Sequence, residues 1–538
     1  MSGASQLISL SIEAEQNDVS NDTDARVPSL TLLAVIFIMA LLPLLTTPIL
    51  PFIDFYNHIA RYFILAHLSH DLVLQQFYVS NWSLLPNIGL DILFTPVLSM
   101  ARPWLGGHLL AALIMLTQFC GVLYFHRVLT GRVSLVVAIL LVPLLYSYIL
   151  FWGFGSFVFG LGLAFAAAGW WLNHRATPWR AFPVAAIFAV AIFLTHGFAF
   201  ALYGVLIASL ELGSETRGRG WSVKILARRL APVVAQAVIP AGLFLMTATL
   251  SSAGGVSNVD RSIMRLLDHG SLLHRLGEIA LYRLETIVRV AEGPSVGADV
   301  IWFAAMAGVV AFLLCTKRLA LVRAVWLAVA IGMLLVLIVP PAMFGVGYVS
   351  DRIPLYVALL FIAGLSPTAI ADRGRAAALT AITVLAGIRL ISIALSWQSY
   401  ARDYRDFETV ARAIPTGSLV ADLMVGGIAH SSRAPRCGMY GPSLVIGYHQ
   451  AVPLFANDTQ QPMRQIGRLA AGVAAFQPAV GTWVGVNPDE YDRYLEALRA
   501  AGYFQYVLVC NANLLPRPLP TFAKIVSQTP RFELLRLY

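Results

Sequence analysis

Long apolar runs dominate this chain up to residue 398. They cover 28–50, 106–126, 133–152, 154–173, 181–195, 197–212, 231–250, 300–316, 320–340, 353–371 and 376–398. A helix of about 20 apolar residues crosses the hydrocarbon core of a bilayer. Charged residues make up only 12% of the chain, whereas a soluble protein carries about 25%. We therefore predict a polytopic α-helical membrane protein with about eleven transmembrane helices.

The apolar stretch 181–212 is long enough for one helix, but its centre reads FLTHGF. We divide it into two short spans joined by a tight turn at Thr195, His196 and Gly197. Every loop then predicted to face inside carries at least two basic residues, and the outer turns near 153 and 196 carry none, which follows the positive-inside rule. This predicts a plasma (inner) membrane protein with a cytoplasmic N-terminus. The shorter stretch 89–101 is expected to be re-entrant or interfacial.

The spans define three predicted parts of the chain. Residues 1–27 are polar and acidic, and we expect a disordered cytoplasmic tail rather than a cleaved signal peptide. Residues 28–398 form the transmembrane domain, with long outer loops at 51–105 and 251–299. The second of these loops has helical periodicity and predicts helices lying on the membrane surface.

Residues 399–538 change in character and predict a small extracytoplasmic α/β domain. The segments DYRDFETVARAIP and PDEYDRYLEALRAAG read as helices, the second ended by Gly502. The segments GSLVADLMV, YFQYVLVC and FELLRLY read as strands. Cys437 and Cys510 lie in this part and are able to form a disulfide if it faces an oxidising compartment. Cys120 and Cys315 lie in apolar runs and are expected to be small core residues.

The segment FIDFYNHIAR follows the first span directly. Asp54, Asn57, His58 and Arg61 are spaced by three and four residues, so a helix places them on one face. Asp54 is a good helix N-cap, since FYNHIARYFILAHL reads as helical. It is also a candidate general base or substrate anchor. Both interpretations of Asp54 are retained, with His58 and Arg61 shaping a polar pocket beside it.

Two further polar residues lie on the same predicted outer side. Asp91, in LLPNIGLDILF, begins an apolar stretch, and an acid at membrane depth is costly without a partner. It is either a helix-start residue or a functional acid that shares a site with Asp54 if segment 51–105 folds back on itself. His196 lies at the turn in THGFAF, either as a plain interfacial residue or as part of the same site.

The segment FGVGYVSDRIPLYVALL places Tyr348, Asp351 and Arg352 just outside a span. Arg352 either snorkels or pairs with Asp351. Its planar guanidinium is also suited to binding a phosphate group.

Three other arginines are considered for related roles. Arg283 and Arg289 in the outer amphipathic segment are weaker phosphate-binding candidates. Arg389 lies inside an apolar run and needs a partner that the sequence does not identify.

This layout resembles that of the GT-C glycosyltransferases, in particular the protein mannosyltransferase and aminoarabinose transferase group. The resemblance rests on Asp54 after the first span, the long loop 51–105, the FLTHGF turn, the DRIPLYVALL stretch and the polar part after Ser399. It implies an enzyme of the cell envelope that moves a sugar from a polyprenyl-phosphate carrier to an extracytoplasmic glycan, lipid or protein acceptor.

The resemblance also implies roles for individual residues. Asp54 is similar to the family's catalytic acid, with Asp91 and His58 beside it. Arg352, His196, Tyr348, Asn57 and Arg61 would then bind substrate or the carrier phosphate. The chain departs from the family pattern in two places, because Phe55 follows Asp54 instead of a second acid, and His196 stands where several members have Lys. The sequence requires no cofactor, and a divalent metal remains an open alternative.

Two other functions remain open at this stage. A non-catalytic membrane component of polysaccharide assembly is consistent with the missing second acid. A transporter of lipid-linked substrates is consistent with the charged Arg389, although no internal repeat is evident. No nucleic-acid motif occurs. In the C-terminal part, four aromatic or imidazole side chains are candidates for stacking on an acceptor sugar, although such residues also form cores: Tyr440, Tyr448, His449 and Trp483.

Overall fold

The computed structural model describes residues 28–84, 86–215, 223–246, 272–291, 293, 295–341, 343, 347–370, 372–425, 437–452, 461–480, 485–486, 491–515 and 517–538. The predicted disordered tail at 1–27, the first part of the predicted surface helices at 251–271, and Trp483 lie outside these residues.

Helices make up most of the described chain before residue 412. They are α1 (Leu30–Ala40), α2 (Phe55–His67), α3 (Leu72–Gln75), α4 (Gly89–Met100), α5 (Pro103–Thr130), α6 (Leu135–Leu144), α7 (Tyr148–Phe151), α8 (Gly155–His174), α9 (Pro178–Thr195), α10 (Gly197–Glu215), α11 (Val223–Gln236), α12 (Val238–Met246), α13 (Leu272–Val288), α14 (Val296–Cys315), α15 (Trp326–Ile338), α16 (Val349–Ala363) and α17 (Arg373–Ala411).

Among the described helices, five are long and apolar enough to cross a bilayer, namely α5, α8, α9, α14 and α17. The helices α11 and α12 bend by 44° at their junction and together make a sixth candidate. The chain is therefore a helical, multi-pass membrane protein, as its composition predicts. The count of eleven spans stays a prediction.

The helices α5 and α8 pack closely because both carry glycine at the contact. A Cβ atom on Gly121 would lie 2.1 Å from the carbonyl oxygen of Gly162. A Cβ atom on Gly162 would lie 2.6 Å from the carbonyl carbon of Thr117. Small residues at such a contact let two backbones approach, which is how helices associate when lipid removes the hydrophobic driving force.

Several predicted spans differ in detail from the helices that form. The first run is split into α1 and a 3₁₀ helix over Leu42–Thr46 with proline near its start. The run 133–152 breaks after α6, which contains Pro143, because proline removes a backbone donor from the helix. The run 353–371 is helical only to Ala363, since Leu365–Pro367 (β3) pairs with Leu319–Leu321 (β2).

Two predictions about helix boundaries have different outcomes. The turn in FLTHGF is present, because α9 ends at Thr195, His196 is extended, and α10 begins at Gly197. In contrast, α17 runs for 39 residues through Ser399, where the sequence changes from apolar to polar. No glycine or proline interrupts 388–414, so nothing in the backbone ends the helix where the composition changes.

The C-terminal region, residues 399–538, contains a mixed sheet after the end of α17. Its strands are β4 (Val420–Val425), β6 (Gly485–Val486), β7 (Tyr506–Cys510), β8 (Ala523–Gln528) and β9 (Phe532–Leu537), in the order β6-β4-β7-β9-β8. The pairs β6-β4 and β4-β7 are parallel, and β7-β9 and β9-β8 are antiparallel.

Helices α18 (Tyr440–Tyr448), α19 (Gly467–Val480) and α20 (Tyr491–Ala501) accompany this sheet. The three predicted strands and the helix ended by Gly502 are present, whereas β8, α18 and α19 were not predicted. A disulfide joins Cys437 to Cys510, with Cα atoms 5.8 Å apart. It ties the end of β7 to the chain that enters α18.

A short ladder connects the loop after the first span to the C-terminal region. Strand β1 (Tyr78–Ser80) pairs antiparallel with β5 (Met463–Gln465). We call this the β1–β5 junction. A second contact supports it, because the Asp71 carboxylate lies 2.8 Å from Nδ1 of His449. The loop that carries the candidate site residues is therefore held directly by the C-terminal region.

Candidate active site

The backbone of Asp54 is held by the chain that enters α8. The amide of Asp54 donates to the carbonyl oxygen of Trp152 at 3.0 Å. Gly153 follows with φ of +94°, and a Cβ atom there would lie 2.4 Å from the amide nitrogen of Phe55. Only glycine accommodates both that dihedral angle and that approach. Residues 151–153 therefore fix the start of α2, and Asp54 with it.

The side chain of Asp54 does not cap α2, although Asp54 occupies the N-cap position. Its Oδ1 accepts a hydrogen bond of 2.8 Å from Nδ2 of Asn57. Its Oδ2 lies 3.5 Å from Nε2 of His58, and the side chain keeps 24% of its surface exposed. The capping interpretation is therefore not supported, and the carboxylate is oriented by two residues of the predicted face while remaining accessible.

Arg61 determines which nitrogen of His58 carries the proton. Its Nη2 lies 3.1 Å from Nδ1 of His58. Arginine has only donors, so Nδ1 must accept, and the neutral imidazole carries its proton on Nε2, on the side of Asp54. Asp54, His58 and Arg61 thus form one directed chain of polar contacts along α2.

Asp91 completes this chain from the opposite helix. Arg61 donates through Nε to Oδ1 at 2.5 Å and through Nη2 to Oδ2 at 2.8 Å. Asp91 is fully buried, and Arg61 is 7% exposed. Such a bidentate pair fixes the plane of the guanidinium. The segment does fold back, which is the condition for a shared site. Asp91 is linked to Asp54 through Arg61 and His58, and both of its oxygens are engaged by Arg61.

Arg352 lies in the first turn of α16 and is 3% exposed. Its guanidinium lies over the rings of Phe154 and Phe157, with centroid distances of 4.4 and 5.8 Å. Within the described residues it forms no hydrogen bond and no ion pair, and its Nε is buried without a partner. The charges of Asp351 and then of Asp54 lie within electrostatic range of this guanidinium. Arg352 is therefore a buried cation supported by aromatic rings, with two acids nearby and none in direct contact among the described residues.

Asp351 does not pair with Arg352, contrary to one of the two predicted alternatives. Its Oδ2 accepts a hydrogen bond of 3.1 Å from the Tyr282 hydroxyl and one of 3.3 Å from Ser350. The Asp351 carboxylate is thus hydrogen-bonded to neutral donors, and Arg352 has no direct contact with it. The positive end of the α16 dipole adds to the cationic character of this position.

Tyr348 precedes α16 in the left-handed conformation, with φ of +59°. Its ring packs against Trp152 at a centroid distance of 4.4 Å. Burial first, and then the charge of Asp351, raises the pKa of Tyr348 to about 12. The hydroxyl therefore stays protonated, and it has no hydrogen-bond partner among the residues that the structure describes. Tyr348 is available as a donor beside Arg352.

His196 lies at the break between α9 and α10 and is 8% exposed. Its Nδ1 accepts from the amide of Phe198 at 3.1 Å, which leaves the proton on Nε2. Burial first, and then the charges of Arg352 and His58, lower the pKa of His196 well below its usual value. His196 belongs to the same cluster as Arg352 and His58, but it contributes a neutral imidazole and not a cation.

The other candidate arginines are engaged elsewhere. Arg389 forms a buried ion pair with Asp299, whose Oδ2 also accepts from the Gly293 amide at 2.8 Å. Arg283 donates through Nη2 to the carbonyl of Val339 at 2.7 Å, whereas its Nε and Nη1 are buried without a partner among the described residues. Arg289 pairs with Glu285 at 3.2 Å. The partner that Arg389 requires is therefore Asp299, which lies 90 residues earlier in the chain.

Two groups of site residues are not evident from the sequence. Gln461, from the C-terminal region, accepts a hydrogen bond of 3.0 Å from Nη1 of Arg61. The rings of Trp152 and Phe154 support Tyr348 and Arg352. No periodicity links these residues to Asp54. The GFG motif after Trp152, at a break between apolar runs, is the one local signal of an unusual turn.

Two of the proposed sugar-stacking residues of the C-terminal region, Tyr440 and His449, have contacts within the protein. Tyr440 is 1% exposed and packs against Phe407 and Phe532, with centroid distances of 4.9 and 4.8 Å. His449 contacts Asp71 and so belongs to the link between the two regions. These contacts assign Tyr440 to the core.

Among the described residues, no group of three His, Cys, Asp or Glu side chains is arranged to hold a metal ion. At the site itself, Asp54 lies 3.5 Å from His58, and both oxygens of Asp91 are engaged by Arg61.

No protein-family model and no curated protein sequence matches the chain. Among solved structures, it is similar to ArnT from Cupriavidus metallidurans in the apo state, with 11% identity, a TM-score of 0.47, and coverage of 94% of this chain and 97% of that one. It is also similar to the arabinofuranosyltransferase AftD from Mycobacteria, with 15% identity and a TM-score of 0.42, over 95% of this chain and 42% of AftD. At these values no residue role passes from them to this chain.

Proposed function

We propose that this protein is a membrane glycosyltransferase that moves a sugar from a polyprenyl-phosphate carrier to an extracytoplasmic acceptor. The observation that carries the proposal is the buried Arg352 guanidinium, which has no anionic partner within 4.0 Å among the described residues and lies in electrostatic range of the accessible Asp54 carboxylate. A buried charge without a partner is costly, so its retention favours a bound anion. A phosphate carried by a lipid supplies that anion at the membrane.

In the proposed reaction, Asp54 acts on the acceptor and Arg352 acts on the leaving phosphate. The acceptor oxygen attacks the anomeric carbon, and the proton of the acceptor passes to Asp54. The bond between the anomeric carbon and the phosphate oxygen breaks, and its electron pair leaves with the polyprenyl phosphate. The phosphodiester donor carries one negative charge and the departing monoester develops a second. Arg352 therefore stabilises the transition state more than the ground state.

The remaining residues hold these groups in place. Asn57 and His58 orient the Asp54 carboxylate. Arg61 and Asp91 hold His58 in the tautomer that directs its proton toward Asp54. Tyr348 and the neutral His196 are proposed as hydrogen-bond donors to the phosphate or the sugar. Asp91 is thus assigned a positioning role, since its oxygens are already engaged by Arg61.

The disulfide supports an extracytoplasmic position for the site. Disulfides persist in oxidising compartments and are rare in the cytosol. The Cys437–Cys510 bond lies in the C-terminal region, which contacts the site loop through the β1–β5 junction. This arrangement and the distribution of basic residues support a site on the outer face, with the N-terminus inside.

The two alternative functions lose their main support. Arg389 favoured a transporter because it is a charge inside an apolar run, but its pairing with Asp299 gives it a structural role. The missing second acid favoured a non-catalytic protein, but Asp54 keeps an oriented, accessible carboxylate without it.

The test is Asp54→Asn in cells deleted for this protein, scored on the surface glycans or glycolipids that the deletion alters. Loss of a general base typically lowers a rate by about 100-fold or more, so we expect the glycan to be lost at a normal level of membrane protein. Asp492→Asn is the matched control, because Asp492 is an exposed acid of α20 and makes none of the contacts described for the site. Retention of the glycan in Asp54→Asn cells would remove Asp54 as the base and favour the non-catalytic or transport function.

A further inference from the structure

Gln461 is the contribution of the C-terminal region to the Arg61 cluster. It directly precedes Pro462 and the strand β5, and its Oε1 accepts a hydrogen bond of 3.0 Å from Nη1 of Arg61. The backbone here is held by the loop after the first span. The amide of Asn81 donates to the carbonyl of Pro462 at 2.6 Å, and Nδ2 of Asn81 donates to the carbonyl of Gln461 at 3.4 Å.

The contact with Arg61 fixes the orientation of the Gln461 amide. Arginine offers donors only, so the oxygen of the amide must face it and the NH₂ group must face away. Within the described residues, that NH₂ group has no hydrogen-bond partner, and the side chain is only partly buried. Gln461 therefore presents two oriented N–H donors that the described residues do not use.

Gln461 is linked to Asp54 through Arg61 and His58. Gln461 contacts the guanidinium that also contacts Nδ1 of His58, and the opposite nitrogen of His58 faces Asp54. Arg352, the proposed phosphate ligand, is not part of this chain of contacts. An N–H donor separated from Asp54 by two side chains is suited to an oxygen atom of an extended acceptor, at a distance from the oxygen that Asp54 deprotonates.

We propose that Gln461 is a substrate-contacting residue that donates a hydrogen bond to an oxygen of a hydroxylated acceptor. The proposal rests on the glycosyltransferase function proposed above and adds an acceptor-binding residue from the C-terminal region. It gives that region a direct part in acceptor recognition, in addition to holding the site loop through the β1–β5 junction.

A competing role is that Gln461 only supports Arg61. Two substitutions separate the roles. Gln461→Glu keeps an oxygen that accepts from Arg61 but removes the N–H donors. Gln461→Met removes both the acceptor and the donors at similar volume. Acceptor binding predicts that the two variants are equally defective. A supporting role predicts that Gln461→Glu retains function, because a carboxylate accepts from arginine at least as well as an amide does.

The experiment complements the deletion strain with each variant and measures the altered glycan. Purified full-length protein is tested in parallel for its unfolding temperature and for stabilisation by undecaprenyl phosphate. Gln528→Glu is the control, since it places the same charge at an exposed position of β8 in the same region. We expect both Gln461 variants to transfer about 10-fold less sugar, with an unchanged unfolding temperature and unchanged stabilisation by undecaprenyl phosphate.

Wild-type glycan levels in Gln461→Glu would overturn the proposal in favour of the supporting role. A parallel fall in unfolding temperature would also overturn it, since the effect would then be structural. Two other measurements would refute the glycosyltransferase proposal itself. In that case undecaprenyl phosphate does not stabilise the wild-type chain, and the Asp54→Asn variant keeps its glycan. That result removes the acceptor role as well, whereas failure of the Gln461 proposal leaves both wild-type stabilisation and the Asp54 effect intact.

Discussion

Arg352 and Arg389 occupy similar surroundings, but an acid is in direct contact with Arg389 and none is in direct contact with Arg352 among the described residues. Both lie in long helices, are at most 3% exposed and lie over aromatic rings. Arg389 is neutralised by Asp299, which reaches it from α14. Arg352 is not paired with any described acid, although Asp351 is its neighbour in sequence.

The comparison separates two reasons for keeping a buried arginine. A paired guanidinium joins two helices, and removing one partner leaves the other charge buried without compensation. An unpaired guanidinium carries that cost in the resting protein. Removing an unpaired arginine is therefore expected to leave the fold equally or more stable and to impair the function. Breaking a buried ion pair is expected to destabilise the fold instead.

The largest effect on stability is expected for Asp299→Asn. This substitution leaves the Arg389 charge buried without a counter-ion, which costs about 3–5 kcal/mol of unfolding free energy. The thermal unfolding of the full chain in detergent measures it. The double variant Asp299→Asn with Arg389→Met removes both charges and should recover most of the loss. A single variant no less stable than the double variant would show that the pair does not contribute as described.

Arg352→Met should give the reverse result. We expect sugar transfer to fall by about 100-fold or more, because a preorganised charge on the leaving phosphate is lost. The unfolding temperature should stay the same or rise. Arg352→Lys keeps the charge without the planar fork and should retain part of the activity. If Arg352→Met destabilises the chain as much as Asp299→Asn does, the two arginines are equivalent and the proposed phosphate site is wrong.

A smaller effect is expected at Asp422, which extends the comparison to an unpaired acid outside the membrane. Its Oδ1 is buried without a hydrogen-bond partner in the described part of the chain, and burial raises the pKa of Asp422 to about 7. The amide of Gly441 donates to this carboxyl and partly offsets the effect of burial. The folded state therefore holds a proton that an unfolded chain, with a carboxyl pKa near 3.9, releases earlier.

The sign of the pH dependence at Asp422 follows from this difference. Folding is unaffected by the group below about pH 4, and stability falls as the pH rises from there to about 7. Asp422→Asn should therefore be neutral near pH 4 and should stabilise the chain at pH 8 by up to about 4 kcal/mol, the limit set by the difference between a pKa of 3.9 and one of about 7. Thermal unfolding at the two pH values measures this. An equal effect of the substitution at both would contradict an ionisable, buried Asp422.

The sequence predicted well those features that depend on neighbouring residues. The turn at His196, the strands β4, β7 and β9, and the helical face of Asp54, Asn57, His58 and Arg61 are local, because backbone preference and residue spacing determine them. Helix α17 shows the limit of this reasoning. Its composition changes at Ser399, but a helix ends where its backbone is interrupted, and polar residues alone do not interrupt it.

By itself, the amino-acid sequence determined that this chain is a helical membrane protein and that a polar face follows its first apolar run. Only the tertiary structure decided which of those polar groups are paired. Arg61 meets Asp91, 30 residues away, and Gln461, 400 residues away. Arg389 meets Asp299, while Arg352 meets aromatic rings. The reason is physical: a buried charge responds to what packing brings within a few ångströms, and residue spacing along one helix does not contain that information.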